Sequence, residues 1–430
     1  MSIYNRQDRH LPVRPDLGQL KIQAKELLKG LRAGEPVAIE EFNQFHPDPP
    51  KLTEAKLADA QLALARAYQA PSWTRLVQAC NLIDAIWNDD IDTVRDLVVK
   101  NPKLIHEDSR IQKSNWGPPL SYAANLGRDE IIKLLRKFGA MDLEHALDRA
   151  ILQSKIQTAA MLYQMMGSPE PPNGLLSGAG YTLSAEGTAF ALEIGVPVRD
   201  KNGGRLAPVD VVLETDSRNP KAKHAILEMY ASHGLELPDT PAMALHRGRI
   251  DLLQQHLKRD PLLLNRTFSH EEIYPPDMGC HDEINATQGT PLKGATLLHL
   301  CVDYDELEIA KWLIEKGCDV NAKAVIDQDG FGGHTPLFCT VVSMPNFWMN
   351  YQARPQEAPF VELLLKHGAD PNVRSSLRKQ LHPGYAPKYD TDTLFEYRNV
   401  TALGWGERFH AKVFVSEPAL RLIAEAGGTV

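Results

Sequence analysis

The chain has 430 residues, a formal net charge of −8 and ordinary apolar and charged fractions. Its length suits two or three globular domains or one long repeat array. The acidic balance disfavours a nucleic-acid partner, because a general nucleic-acid binder needs a basic face to neutralise phosphates. No apolar run reaches membrane-spanning length, so the sequence also predicts no membrane partner.

The first residues and the cysteines predict a cytoplasmic location. Residues 1–15 carry charges but lack the apolar core of a signal peptide. The five cysteines are an odd number without close pairs, which is typical of a protein that keeps its thiols reduced.

Helical segments open the chain. Apolar residues recur at helical spacing, and breaks rich in glycine or proline separate the segments. The three predicted segments are 17–31, 37–45 and 52–80, with a further break at 71–73. We expect residues 1–80 to form a helical cap that covers the apolar end of the part that follows.

From Leu82 onward the chain repeats one pattern. A short helix of small residues is followed by a reversal, an apolar helix and a stop. Most stops contain a glycine, which adopts the left-handed cap conformation without steric cost. These glycines are Gly139, Gly167, Gly195, Gly234, Gly317, Gly368 and Gly427, and two further units end at Pro102 and Pro261. About nine helix pairs result, each of which needs neighbours to bury its apolar face.

The best-preserved units carry recognisable opening and closing motifs. Residues 296–299 read TLLH, 335–338 read TPLF and 401–403 read TAL, while 317–321 read GCDVN and 368–372 read GADPN. These motifs resemble those of ankyrin repeats, which open on Thr-Pro-Leu-His and close on Gly-Ala-Asp-x-Asn. Residues 60–73 resemble a helical leader found ahead of bacterial ankyrin arrays. Between 143 and 237 the fit rests on periodicity and glycine stops alone.

The resemblance implies an all-α fold. We expect an ankyrin-repeat solenoid of about nine helix-turn-helix units with an N-terminal helical cap and long loop insertions in the C-terminal half. The predicted division is 1–80 for the cap, 81–265 for degenerate repeats, and 266–430 for repeats whose insertions form the binding site.

The second half exceeds the minimal repeat of about 33 residues. The excess lies in four insertions, at 266–294, 322–334, 343–358 and 373–400. They contain aromatic residues, in which disordered linkers are poor, so we expect them to fold over the concave groove of units six to nine and to wall a pocket. The first insertion is acidic and the last is basic. That contrast permits a clamp on a polar ligand, a mutual attraction, or two solvated loops.

Common catalytic signatures are missing from the sequence. It contains no phosphate loop, nucleophile elbow, zinc-protease helix or paired Cys-x-x-Cys, so we expect no cofactor. The spacing of the possible ligands His270, Cys280, His281, Asp282 and Glu283 matches no established metal pattern, so we also expect no metal. The resemblance assigns His299 a structural role in the repeat turn.

The sequence favours a binding protein over an enzyme. The predicted partner is a protein segment or a small polar molecule held on the concave, loop-walled face of units six to nine, an expectation that rests on fold analogy. The candidate ligand-binding residues are Tyr274, Phe331, Trp348, Tyr351, Arg378, Tyr385, Trp405 and Arg408.

The alternative is an acid–base enzyme acting on a sugar-like or hydroxy-acid-like substrate in a pocket closed by the insertions. Such an enzyme would be a hydrolase, lyase or isomerase without a nucleotide cofactor. Its candidate catalytic residues are His270, Asp277, His281, His334, Glu396 and His410.

Overall fold

The computed structural model describes residues 9–172, 174–281, 284–286, 289–342, 356–381 and 390–430. The chain divides into an N-terminal body, Met1–Pro172, and a C-terminal body, Asn173–Val430. Apart from one two-stranded sheet and a few isolated bridges, the described regular structure is helical.

The N-terminal body is built from nine α-helices in its described residues. They are α1 (Leu17–Ala33), α2 (Pro36–Phe45), α3 (Leu57–Ala67), α4 (Trp73–Trp87), α5 (Ile91–Lys100), α6 (Pro119–Leu126), α7 (Asp129–Lys137), α8 (Leu143–Leu152) and α9 (Ile156–Met165). The Asp16 carboxylate caps α1 by accepting the N–H groups of Gly18 and Gln19. Helices α1 to α3 enclose an apolar cluster around Leu27, Leu31 and Phe42.

The C-terminal body contains shorter helices and the small sheet. Its helices are α10 (Leu175–Thr182), α11 (Ala185–Glu193), α12 (Val209–Glu214), α13 (Pro220–Ser232), α14 (Pro241–His246), α15 (Ile250–Arg259), α16 (His270–Ile273), α17 (Leu297–Asp303), α18 (Leu307–Glu315), α19 (Pro336–Cys339), α20 (Pro359–Lys366), α21 (Ala402–Arg408) and α22 (Glu417–Glu425). Its strands are β1 (Ser375–Lys379) and β2 (Phe395–Val400).

The helix pairs confirm the all-α repeat fold expected from the sequence. In the described residues the successive pairs are α4/α5, α6/α7, α8/α9, α10/α11, α12/α13, α14/α15, α17/α18, α19/α20 and α21/α22. Within each body, first helices pack on first helices, as α17 does on α19 and α19 on α21. All seven glycines predicted to end second helices have positive φ, for example 93° at Gly317.

Two boundaries differ in position from the sequence-based division. Helix α4 runs through residue 80 and serves as the first helix of the first pair. The structural boundary at 172 falls inside the stretch expected to hold degenerate repeats. The division into a cap, degenerate repeats and a binding region stays a prediction.

Asparagine side chains join neighbouring repeats along the second-helix ends of the C-terminal body. The Asn321 amide donates to the Gly368 carbonyl at 2.9 Å, and its oxygen accepts the Asp370 N–H at 2.8 Å. Asn372 makes the corresponding pair of bonds to Gly427 and Thr429. These bonds explain the Asn of the closing motif, because one amide satisfies both a donor and an acceptor of the next turn.

The insertion at 373–400 was expected to be a loop, but parts of its two described ends form strands. Its two ends pair as the antiparallel strands β1 and β2, with Leu377 opposite Tyr397 and Arg378 opposite Glu396. Strand β1 alternates buried and half-buried positions, which is the period of a half-buried strand, whereas in β2 only Tyr397 and Val400 are buried. The pairing joins segments that are distant in sequence, so no local turn signal announces it.

Candidate functional site

A pocket of about 800 Å³ lies in the C-terminal body, among the loops that connect the repeats. We call it the finger pocket and define it by its walls, which come from residues 267–269, 284–285, 291, 293–294, 325–329, 331–332, 334 and 377–378. Three of the four predicted insertions therefore contribute to one cavity.

Backbone hydrogen bonds between successive loops hold these walls. The Phe268 N–H donates to the Ala295 carbonyl at 2.8 Å, and the Val325 N–H donates to the Gly294 carbonyl at 2.9 Å. The ladder continues where Gly332 N–H donates to the Ser376 carbonyl at 2.7 Å. Backbone pairing of this kind makes a built wall rather than a set of independent loops.

Gly332 marks the closest approach within this ladder. Its φ is +114°, and a Cβ placed there would lie 2.0 Å from the Val325 carbonyl oxygen. Two arms of one connecting loop, residues 324–327 and 331–334, are hydrogen-bonded to each other at this point, and we call this loop the finger. A side chain would force them apart.

Replacing Gly332 by alanine is expected to open the finger and to lower the melting temperature. Gly330→Ala is the matched control, since Gly330 also has positive φ (+84°) but no neighbour within 4 Å of its Cβ position. The control should lower the free energy of unfolding by only about 1–2 kcal/mol, the conformational cost of a side chain at positive φ. Gly332→Ala should lower it by clearly more. Thermal melting with amide hydrogen exchange at 325–333 measures both effects, and equal losses would contradict the steric argument.

Phe331 carries a pair of stacked cations on its ring. The guanidinium carbons of Arg378 and Arg398 lie 4.0 and 4.2 Å from the ring centroid. Arg378 also donates to Asp329 at 2.5 Å and lies 3.4 Å from Asp327. The bond to Asp329 is the main reason why the pKa of Arg378 is raised. Ionic and stacking contacts therefore fix one corner of the pocket before any ligand arrives.

His334 lines the pocket from inside the protein. Its side chain is 1% exposed, and its ring meets the His299 ring edge-on at a centroid distance of 5.4 Å. Burial lowers the pKa of His334 to about 4, against an opposing effect of the Pro291 carbonyl. The ring is therefore neutral at pH 7.

His299 has the structural role that the resemblance implied. Its Nδ1 accepts the Thr296 N–H at 3.2 Å, and its Nε2 donates to the His334 carbonyl at 3.0 Å. Burial lowers the pKa of His299 to about 3. The bond to His334 links unit seven to unit eight and fixes the backbone that carries the His334 ring.

The rim of the pocket is apolar at one point that the sequence analysis missed. Val325 and Ile326 are 54% and 60% exposed, although both are aliphatic. Two consecutive β-branched residues in a turn were a usable signal, because turns favour Gly, Pro, Asn, Asp and Ser instead.

Several predicted ligand-binding residues lie in other surroundings. Tyr274 is 3% exposed, and its hydroxyl is hydrogen-bonded to that of Tyr304 at 2.9 Å. Trp405 is fully buried and donates its indole N–H to Thr290 at 3.3 Å. Arg408 is exposed. Trp348, Tyr351 and Tyr385 lie outside the described residues. The ligand-binding roles of all these residues stay predictions.

The six predicted catalytic residues are spread over the C-terminal body, and His334 is the member of the set that lines the finger pocket. His270 is buried against Tyr274, while Asp277 and Glu396 are exposed. His410 stacks on Phe395 at 3.8 Å, and its Nδ1 lies 2.6 Å from the Tyr397 hydroxyl. Burial, aided by Lys379, lowers the pKa of His410 to about 4. Their catalytic roles stay predictions.

His281 belongs to a small group of metal-ligand side chains. The donor atoms of Asp210, Glu214 and His281 lie within 4.8 Å of one another, a grouping identified among the described residues. Protein groups already engage them: Arg205 pairs with Asp210 at 3.1 Å, and Glu214 accepts the His281 N–H at 2.6 Å. These contacts account for the cluster without an ion. That the protein needs no metal stays a prediction.

A buried ionic network was also missed by sequence reasoning. Lys223 meets Glu306 at 2.8 Å, and Arg218 meets Asp303 at 3.2 Å, with every one of these side chains at most 8% exposed. Both cations also lie over the Tyr304 ring. The detectable signal was the charged turn at 303–306, which follows directly on a helix of otherwise apolar residues.

These observations define the class of protein first: an array of stacked helix pairs with connecting loops that wall a pocket. Residues 293–324 match the family model described as Ankyrin repeat. With that match and its helix pairs, the chain is an ankyrin-repeat protein. No curated protein matches it.

Among solved structures, the chain is similar to one described as the crystal structure of the human ASB11 ankyrin repeat domain. The identity is 15%, and the alignment covers 73% of this chain and 99% of that one, with a TM-score of 0.27. Separately, within the described residues no helix combines the length and apolarity needed to cross a bilayer.

Proposed function

We propose that this protein binds an extended segment of a partner protein in the finger pocket. The observation that carries the proposal is the exposed pair Val325 and Ile326 on the rim of a cavity of about 800 Å³. Aliphatic side chains held in water beside a built cavity favour an occupant that covers them. Ankyrin repeats typically serve protein recognition, which supports a protein segment over a small polar molecule.

The charges at the pocket support a segment without strong net charge. The charged residues that line it balance, with Lys293 and Arg378 against Asp327 and Asp329. Arg378 is held by both aspartates, so little of its charge is left for a ligand. The chemistry expected of the segment is therefore an aliphatic anchor flanked by uncharged residues.

Binding should depend strongly on the aliphatic pair. Full burial of one Val or Ile contributes about 1.5–3 kcal/mol, and each is already about half covered, so replacing both with aspartate should weaken binding at least about tenfold. The experiment selects seven-residue peptides displayed on phage against the full-length chain. The affinities of the recovered peptides are then measured for the wild type and for Val325→Asp/Ile326→Asp.

Leu262→Asp is the matched control. Leu262 is 79% exposed in the same body and does not line the pocket, so this change adds an exposed charge elsewhere. The recovered peptides should bind this variant as they bind the wild type. The proposal fails if no peptide is recovered, or if the recovered peptides bind the double variant with unchanged affinity.

The cytoplasmic location is also proposed. It is supported by the five cysteines, which are all buried and form no disulfide bonds. Burial raises the pKa of the Cys80 thiol to about 11 and that of Cys318 to about 12, so both remain unreactive thiols at neutral pH.

A further inference from the structure

The His334 ring is held rigidly where the cavity meets the protein interior. It precedes Thr335 at the start of α19, and its backbone carbonyl is bound by His299. Its ring packs edge-on against His299 on one side and lies 6.3 Å from the Phe338 ring on another. His334 is therefore a fixed residue of the cavity wall.

Neither ring nitrogen of His334 has a hydrogen-bond partner of good geometry among the described residues. Buried polar atoms are nearly always paired, so an unpaired one in a cavity wall indicates a missing partner. A neutral imidazole has one donor and one acceptor nitrogen. The Pro291 carbonyl acts to raise the pKa of the His334 ring. A carbonyl oxygen can only accept a hydrogen bond, so it can hold the proton on one ring nitrogen. The other nitrogen then offers a lone pair.

We infer that the bound segment donates a hydrogen bond from an uncharged N–H or O–H group to the lone pair of His334. This inference rests on the proposed function. The ring is 1% exposed, and a charged donor would lose its hydration there without a paired anion. An anionic ligand group is also excluded, because it would face the lone pair of the ring nitrogen instead of a proton that it could bind. The remaining candidates are a backbone amide, a serine or threonine hydroxyl, and an asparagine or glutamine amide.

The test compares two variants of the full-length chain. The probes are the seven-residue phage-selected peptides whose binding is lost in Val325→Asp/Ile326→Asp. His334→Gln keeps an acceptor near the same place, whereas His334→Leu removes it. We expect the Leu variant to bind these peptides about tenfold more weakly and the Gln variant to recover most of the affinity.

Modified probe peptides separate the two sources of the donor. N-methylation of one backbone amide should abolish the His334 dependence if that amide is the donor. Ser→Ala, Thr→Val or Asn→Leu changes in the peptide should do so if a side chain is the donor. Either result supports the inference.

A second measurement remains decisive if His334→Leu does not fold. The ring ¹⁵N resonances of wild-type His334, assigned with His334→Gln, should shift when a probe peptide is added, because the lone pair becomes bonded. Those of His299 should stay in place, since both of its nitrogens are already engaged.

The inference is overturned if the probe peptides bind His334→Leu within twofold of the wild type, or if the His334 resonances do not move. If peptide binding depends on Val325 and Ile326 but not on His334, the proposed function is supported and only the inference about His334 is contradicted. If no such peptide is recovered, both the proposed function and the inference about His334 are contradicted.

Discussion

Replacing Lys223 by methionine is expected to lower the free energy of unfolding of the C-terminal body by about 3–5 kcal/mol. The change leaves Glu306 as a buried carboxylate without its main counter-charge, at 3% exposure. Burial alone would raise the pKa of Glu306, but Lys223 and His224 together lower it. The Lys223 ammonium lies 2.8 Å from the Glu306 carboxylate, so the two opposite charges are in direct contact.

Lys311→Met is the matched control for this prediction. Lys311 pairs with Glu308 at the same 2.8 Å, but the two side chains are 45% and 79% exposed. Exposed pairs contribute about 0–1 kcal/mol, so this variant should unfold nearly as the wild type does in urea. Lys223→Met/Glu306→Leu should regain part of the loss, because it removes both charges. Equal midpoints for Lys223→Met and Lys311→Met would contradict the argument.

Replacing Tyr274 by alanine is expected to cost about 3–5 kcal/mol, the range for removing a large buried aromatic ring. The ring is 3% exposed, and the change also removes the hydrogen bond to Tyr304, the residue over which Arg218 and Lys223 lie. Urea unfolding of the full-length chain measures the loss. The sequence analysis had placed Tyr274 in the first insertion, 266–294, as a candidate ligand-binding residue.

Leu262→Ala serves as the control, since Leu262 is a large side chain of the same body at 79% exposure. It should change stability by no more than about 0.5 kcal/mol. If Tyr274→Ala were equally harmless, the burial of Tyr274 would contribute nothing measurable to stability, which would contradict the prediction.

The repeat architecture was predictable because the sequence signals that determine it are local. Helical periodicity, a glycine with positive φ after each second helix, and the Asn of the closing motif all act within one repeat or between neighbours. Gly317 and Asn321 illustrate this, since the first ends its own helix and the second bonds the next turn. Such signals need no knowledge of distant residues.

The site was predictable only in part. Phe331, His334 and Arg378 were chosen from the sequence and do line one cavity. Val325 and Ile326 were not among the predicted ligand-binding residues, because a sequence does not reveal that two aliphatic side chains remain exposed.

By itself, the sequence determined that this chain folds into helix pairs and that its second half carries insertions that contain aromatic residues. Only the tertiary structure decided which insertion residues became core and which became surface. Tyr274 is buried against Tyr304, which lies 30 positions further along the chain, while Ile326 remains exposed on the loop at 322–334. The physical reason is that burial and ion pairing depend on contacts between residues far apart in the chain, and helical periodicity carries no record of those contacts.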